Sequence, residues 1–148
     1  MAARSTIDIR PATAGDAAEL ARLSAQLGYP AEVPDIARRL ALLLDSPISS
    51  VLVADAGAGR LHGFVGVERR TTIESGERVE IAGLVVDAQV RRSGVGRALI
   101  AAAEAWARQV GVHEIVLRSN VARSEAHAFY PSVGYAVAKT QHAYAKRL

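Results

Sequence analysis

The chain has 148 residues, no cysteine and a formal net charge of +3 at pH 7. This length suits one domain with its own core, and the lack of cysteine excludes disulfides, a cysteine nucleophile and cysteine metal ligands. The first residues lack the apolar core of a leader and no apolar run is long enough to cross a bilayer, so we expect a cytoplasmic protein without a membrane partner. The basic residues are dispersed, which argues against nucleic-acid binding.

The first third of the chain predicts one strand and two helices. Residues 6–10 alternate polar and apolar side chains, as a short strand does. Thr13 and Asp16 have the spacing of a capping box, and apolar residues recur at helical spacing over residues 17–28. A proline near its start and an apolar stripe predict a second helix over residues 34–44.

The middle of the chain predicts a hairpin, a central strand and a long helix. Residues 51–54 and 61–67 are apolar runs joined by a glycine-rich turn. Residues 69–77 are polar and predict an exposed loop, whereas residues 78–86 end in an apolar run typical of a buried strand. A helix follows over residues 94–110, and we assign its Trp106 to the core.

The remaining residues predict three further elements. Residues 113–118 are typical of a strand, and residues 124–130 of a short helix. Residues 135–148 are expected to supply one or two closing strands.

The turn after the central strand has the chemistry of a phosphate site. Gly94 and Gly96 let a ligand approach the first turn of the next helix, whose free N–H groups lie at the positive end of the helix dipole. Nucleoside-triphosphate hydrolysis is disfavoured because no lysine follows the glycines, and a dinucleotide fingerprint fails because Leu99 occupies its third glycine position. Three arginines add positive charge here: Arg91, Arg92 and Arg97.

Two motifs together identify a family. The pattern Arg-x-x-Gly-x-Gly at residues 91–96 is followed downstream by a strand ending near Asn120 and by Ala-x-x-Phe-Tyr-x-x-x-Gly-Tyr, which ends at Tyr135. Their order and spacing resemble the GNAT superfamily of acetyl-CoA-dependent N-acetyltransferases. The resemblance implies a single domain over residues 6–148 with an α/β (α+β) fold. Its mixed, mostly antiparallel sheet would be splayed between the fourth and fifth strands and flanked by about four helices.

The resemblance also implies a reaction and a set of contacts. Acetyl-CoA would be the co-substrate, and its acetyl group would pass directly to a primary amine of a small molecule in a ternary complex. The residues implied in acetyl-CoA binding are Leu84, Val85, Val86, Arg91, Arg92, Ser93, Gly94, Val95, Gly96, Arg97, Asn120 and Tyr130.

Two residues are implied in catalysis. Tyr130 matches the family tyrosine that protonates the departing thiolate, and a phenol with an ordinary pKa of about 10 keeps its proton at neutral pH. The alternative is a core tyrosine beside Phe129. Glu80 matches a family general base, but a carboxylate that simply pairs with an arginine across the sheet is equally compatible. Because side chains alternate along a strand, Glu80 is expected on the same face as Leu84 and Val86.

The acceptor is the least determined part of the site. The candidate substrate contacts are Tyr29, Glu80 and Ser119. Tyr29 is included because the first two helices cover the acceptor in this family, and Tyr29 lies at their junction. Residues 119–130, with the pattern at residues 80–86 upstream, also resemble the small bacterial branch that contains aminoalkylphosphonate N-acetyltransferase. This leaves open whether Arg123 and His127 contact the substrate. Scattered histidines give no metal-binding pattern, so no metal is expected.

Two other functions are compatible with the motifs. One is an acetyltransferase acting on proteins or peptides, and the other is a non-catalytic acetyl-CoA sensor. Retention of both Glu80 and Tyr130 argues against the sensor. A homodimer is also compatible with these features.

Overall fold

A computed structural model describes residues 7–119 and 124–148 of the chain. The chain forms two compact units, Met1–Arg118 and Ser119–Leu148. Within these described ranges, the first unit contains a sheet with three α-helices, and the second contains one α-helix.

The start of the first unit forms one strand and two helices, as the sequence predicted. The carboxylate of Asp16 accepts a hydrogen bond from the Thr13 N–H at 2.8 Å, which completes one half of the predicted cap. Gly28 has a φ of +98°, the left-handed conformation that ends a helix. The elements are β1 (Asp8–Pro11), a 3-10 turn (Ala14–Asp16), α1 (Ala17–Gln26) and α2 (Val33–Asp45).

The sheet is mixed and mostly antiparallel. Its further strands are β2 (Ser49–Gly57), β3 (Arg60–Thr72), β4 (Gly76–Val86) and β5 (Ile115–Leu117). The strands lie in the order β1-β2-β3-β4-β5, and only β4 and β5 run parallel. The β4–β5 ladder covers residues 79–81 alone, so β4 continues for five residues past its last partner in β5. The predicted sheet and its divergence at the fourth and fifth strands are therefore confirmed.

The predicted loop over residues 69–77 is wrong, because most of it extends the β3–β4 hairpin. Polar side chains misled the assignment, although they pair with one another across the two strands. Arg69 donates to Glu77 at 2.6 Å, and Arg70 donates to Glu80 at 2.7 Å. Cross-strand pairs of opposite charge stabilise a hairpin whose sides are partly solvated.

Two helical layers cover opposite faces of the sheet. The third helix, α3 (Val95–Gln109), buries Leu99, Ile100 and Ala103. Its core contact is rotated slightly from the prediction, since Ala107 is buried whereas Trp106 is only half-buried. The cluster on the other face joins α1 and α2 to the sheet through Leu20, Leu23, Leu40, Val51, Val53 and Val85.

The second unit contains α4 (Ser124–Ser132), which confirms the predicted helix and extends it through Pro131. The closing strands predicted after Tyr135 are wrong, since residues 135–148 form no strand in the described chain and are almost entirely exposed. A strand needs a hydrogen-bonded neighbour, and a stretch of sequence does not by itself provide one.

Gly63 fixes the spacing between β3, β4 and α3. A Cβ atom there would lie 2.5 Å from the Val85 carbonyl oxygen and 3.1 Å from Cδ1 of Leu99. We expect Gly63→Ala to destabilise the protein by about 1–3 kcal/mol, because the backbone of β4 must shift. Gly66→Ala is the matched control on the same strand, since nothing lies within 4 Å of a Cβ at Gly66. Urea unfolding of both variants measures the difference, and equal stabilities would contradict the proposed crowding.

Candidate active site

A β-bulge reorganises the predicted site strand. Gly66 of β3 pairs with Gly83, but the next residue, Val67, pairs with Ile81, so β4 contains one extra residue. The predicted alternation is therefore wrong beyond Ile81. Glu80 and Val85 face the α1–α2 side, whereas Leu84 pairs with Val65 on the α3 side. A bulge reverses the side on which every later residue points, and its position is not visible in hydrophobic alternation.

Glu80 lies in a network of charged side chains just before the bulge. Its Oε2 accepts a hydrogen bond from Arg70 Nη1 at 2.7 Å, and its Oε1 accepts one from Arg118 Nη1 at 2.9 Å. The Glu80 side chain is only 13% exposed. The hydrogen bond to Glu80 is the main reason that the pKa of Arg70 is raised. The ion pairing that was one of the two interpretations of Glu80 is thus observed, and each carboxylate oxygen retains a further acceptor site.

The backbone of β4 after the bulge has an open side. In the described chain the ladder to β5 ends at Ile81, while β3 continues to pair with Leu84, Val85 and Val86 on the other side. A strand edge of this kind can pair with an extended ligand through its N–H and C=O groups. These three residues are the ones predicted to contact the pantetheine arm, and their open edge fits such a chain.

The turn after β4 has the backbone of an anion site. Arg92 has a φ of +66° and Gly94 a φ of +89°. A left-handed residue other than glycine costs about 1 to 3 kcal/mol, and such strain concentrates where ligands bind. Gly94 is the N-cap of α3, and its carbonyl accepts the Ala98 N–H at 3.0 Å. The N–H groups of the first helical turn precede that bond and have no acceptor within the helix.

The side chains of this turn complete the expected cradle. Four of them are exposed: Arg91, Arg92, Ser93 and Arg97. The Ser93 hydroxyl donates to the Val90 carbonyl, which closes the turn. Val95 is buried, so it can serve a ligand only through its backbone, and Gly96 is the second residue of α3. Orphan N–H groups, a positive helix end and exposed arginines together fit a pyrophosphate.

The second unit contains the predicted acid. Tyr130 is half-buried in α4, with its ring edge-on to Phe129 at a centroid distance of 5.4 Å and to Tyr135 at 6.4 Å. Ser119 and His127 are exposed. Asn120 and Arg123 lie outside the described residues.

Tyr29 is available to a ligand. It follows α1 and is 72% exposed, while its N–H donates to the Ser24 carbonyl at 3.1 Å. The backbone is therefore fixed while the ring lies in solvent.

A polar cluster beneath the turn was not predicted from the sequence. Asp87 directly follows β4 and is 3% exposed, and its carboxylate accepts hydrogen bonds from Arg22 at 2.9 Å and from the Gln89 N–H at 3.1 Å. The Gln89 bond is the largest cause that lowers the pKa of Asp87, and Arg22 adds to it against the opposing effect of burial. The available signal was an i, i+4 pair of polar residues on α1, Arg22 and Gln26, which looks like an ordinary solvated face.

The described ranges show neither a membrane-spanning helix nor a metal-binding cluster. No helix in residues 7–119 and 124–148 has the length and apolar character to span a bilayer. In the same ranges, no three His, Asp or Glu side chains are grouped so as to hold a metal ion.

Comparison with known proteins places the chain in a family. The Acetyltransferase (GNAT) family matches residues 17–135. Aminoglycoside N(6')-acetyltransferase type 1 of Stenotrophomonas maltophilia is 35% identical over 131 residues, which covers 86% of this chain and 84% of the relative.

Solved structures share the fold at lower identity. A transcriptional regulator from Bacillus halodurans C-125 superposes with a TM-score of 0.86 at 22% identity, covering 95% of this chain and 100% of that chain. AAC(6')-Iy, in complex with the bisubstrate analog CoA-S-monomethyl-acetylneamine, superposes with a TM-score of 0.85 at 22% identity, covering 97% and 100%. The chain belongs to the GNAT family of acetyltransferases and is an acetyl-CoA-dependent N-acetyltransferase of that type.

Proposed function

We propose that the protein acetylates a primary amine of a small molecule by direct transfer in a ternary complex. The observation that carries this proposal is the 35% identity, over most of both chains, to an enzyme named for a small-molecule amine acceptor. The open β4 edge beside the glycine turn supports it, because both features fit acetyl-CoA lying along the strand. Acetylation of a protein or peptide is the alternative outcome of the experiment below.

The chain's own residues would supply two proton transfers. Glu80 would take a proton from the incoming ammonium through a water molecule, using an acceptor site that Arg70 and Arg118 leave available. Tyr130 would give its hydroxyl proton to the departing sulfur. Bound acetyl-CoA supplies the acyl group, whose bond to sulfur breaks as the bond to the amine nitrogen forms.

The charges around Glu80 favour an acceptor that is not a polycation. On the α1–α2 side of the β3–β4 hairpin, Arg70 lies directly opposite Arg78, and Glu68 lies directly opposite Glu80. Arg118 adds a third arginine, so guanidinium groups of three residues lie around Glu80 and Glu68. We propose that an amine with a nearby carboxylate or phosphonate is a better acceptor than an aminoglycoside, because arginine forms charge-assisted hydrogen bonds with such groups.

Release of free thiol from acetyl-CoA tests the function. Purified protein is mixed with acetyl-CoA and, separately, with aminoalkylphosphonates, amino acids, aminoglycosides, polyamines and lysine peptides. We expect turnover with an amine that carries an anionic group. Turnover of peptides alone would contradict the small-molecule acceptor, and binding of acetyl-CoA without turnover in any mixture would support the sensor.

Exchange of Glu80 for Gln tests the base. If Glu80 accepts the proton, kcat/KM should lose the limb that rises with pH in the parent protein, and turnover should recover in alkaline buffer as the amine deprotonates itself. Glu68→Gln is the matched control, because Glu68 lies opposite Glu80 and within 3.9 Å of Arg70 Nε. Profiles of the same shape in all three proteins would remove Glu80 from the mechanism and leave it as an ion-pair partner.

A further inference from the structure

Two side chains of α1 form hydrogen bonds with Asp87 and Ala88, at the start of the turn that leads to the glycine loop at residues 91–97. Arg22 Nη1 donates to Asp87 Oδ2 at 2.9 Å, and Gln26 Nε2 donates to Asp87 Oδ1 at 3.4 Å. The Gln26 carbonyl oxygen accepts the Ala88 N–H at 2.9 Å. The turn is therefore tied to α1 by its side chain and by its backbone.

Strand β3 holds these side chains in place through further hydrogen bonds. Arg22 Nη2 donates to the Leu61 carbonyl at 3.0 Å, while Glu19 accepts both the Arg22 guanidinium and the Leu61 N–H, the latter at 2.9 Å. Asp87 donates its N–H to the His62 carbonyl at 2.7 Å. Each partner is fixed by a second contact, so Asp87 has little freedom to move.

The cluster lies where a small shift would matter for cofactor binding. Asp87 begins the 3-10 turn Ala88–Val90, and the residues with positive φ that open α3 follow within a few positions. Phosphate binding by backbone N–H groups depends on where those groups point, because their geometry cannot adapt as a flexible side chain can.

We propose that Arg22 and Gln26, acting through Asp87, are positioning residues for the pyrophosphate loop, so that α1 sets the affinity for acetyl-CoA. On this assignment they act through Asp87 and not by contact with the cofactor or the acceptor. The inference rests on the assignment of residues 91–97 as the cofactor loop, which is part of the proposed function.

The chain offers a matched control for the loss of a buried ion pair. Arg10 donates to Asp16 at 2.9 Å and to Asp55 at 2.8 Å, far along the chain from the glycine loop. The Asp16 side chain is 10% exposed and that of Asp87 is 5% exposed, so both arginines neutralise a largely buried carboxylate. Both hydrogen-bonded arginines have a raised pKa.

The test compares Arg22→Gln with Arg10→Gln. Each variant removes one guanidinium charge beside a buried carboxylate, and both should lower the Tm. Calorimetric titration with coenzyme A should show a Kd raised by roughly tenfold in Arg22→Gln alone, within the usual range for coupling between sites. The KM for acetyl-CoA should rise with it, whereas kcat and the KM for the amine should hold.

Gln26→Ala keeps the test decisive if Arg22→Gln does not fold. Gln26 is exposed, so its removal should leave the Tm nearly unchanged and still weaken coenzyme A binding several-fold. Binding at the parent affinity by this variant, and by Arg22→Gln where that folds, would overturn the inference. Gly96→Glu separates the loop assignment from the positioning role. If Gly96→Glu binds coenzyme A normally, the loop assignment is wrong. If Gly96→Glu loses binding while the Arg22 and Gln26 variants keep it, only the positioning role is wrong.

Discussion

Gly96→Glu is expected to abolish binding of acetyl-CoA while leaving the fold at least as stable as before. Gly96 is the second residue of α3, two positions after the left-handed N-cap Gly94. A carboxylate there would occupy the space and oppose the charge of the pyrophosphate, with a cost of several kcal/mol. The same carboxylate suits the positive end of the helix, and replacing glycine inside a helix adds up to about 1 kcal/mol of stability.

The opposite signs of these two effects make the result specific. Ala105→Glu is the matched control, because Ala105 is an exposed residue of the same helix and gains the same charge. Calorimetry with coenzyme A and thermal unfolding should show lost binding and an unchanged or higher Tm in Gly96→Glu only. Retained affinity in a folded Gly96→Glu protein would contradict the cradle.

Local patterns in the sequence were sufficient for most of the fold. Capping by Asp16, the left-handed Gly28 and the helical spacing along α3 depend on near neighbours, and each was predicted. The polar β3–β4 extension was missed, because its strands are held by pairs such as Arg69 with Glu77 that become neighbours only after folding. The closing strands expected over residues 135–148 are absent for the same reason, since a strand requires a neighbouring strand and these residues have none in the described chain.

The sequence names candidate site residues but not their geometry. The motif predicts a cofactor loop at residues 91–96 and the resemblance predicts a role for Glu80, and both stay predictions. The bulge after Ile81 places Leu84 on the face opposite Glu80. It depends on the register with β3, which the order of polar and apolar residues in β4 does not reveal. The burial of Asp87 was not predictable either, since a single aspartate after a strand is usually a solvated turn residue.

Tyr130→Phe is expected to lower kcat by roughly ten- to a thousandfold, near the usual contribution of a general acid. The ring stays, so its edge contacts with Phe129 and Tyr135 should be retained, and the Tm and the affinity for coenzyme A should change little. In the parent protein kcat should fall at alkaline pH as the acid loses its proton, and that falling limb should be absent from the variant.

Tyr135→Phe is the control that separates chemistry from packing. It removes the same atom from the ring beside Tyr130 in the same unit, where the two centroids are 6.4 Å apart. A general loss caused by disturbing the aromatic group would appear in both variants, whereas loss of the acid would appear in Tyr130→Phe alone. If Tyr130→Phe unfolds at a clearly lower temperature while turnover per folded molecule holds, the hydroxyl is structural. The proton for the departing sulfur must then come from another donor, and the alkaline limb of kcat would persist in the variant.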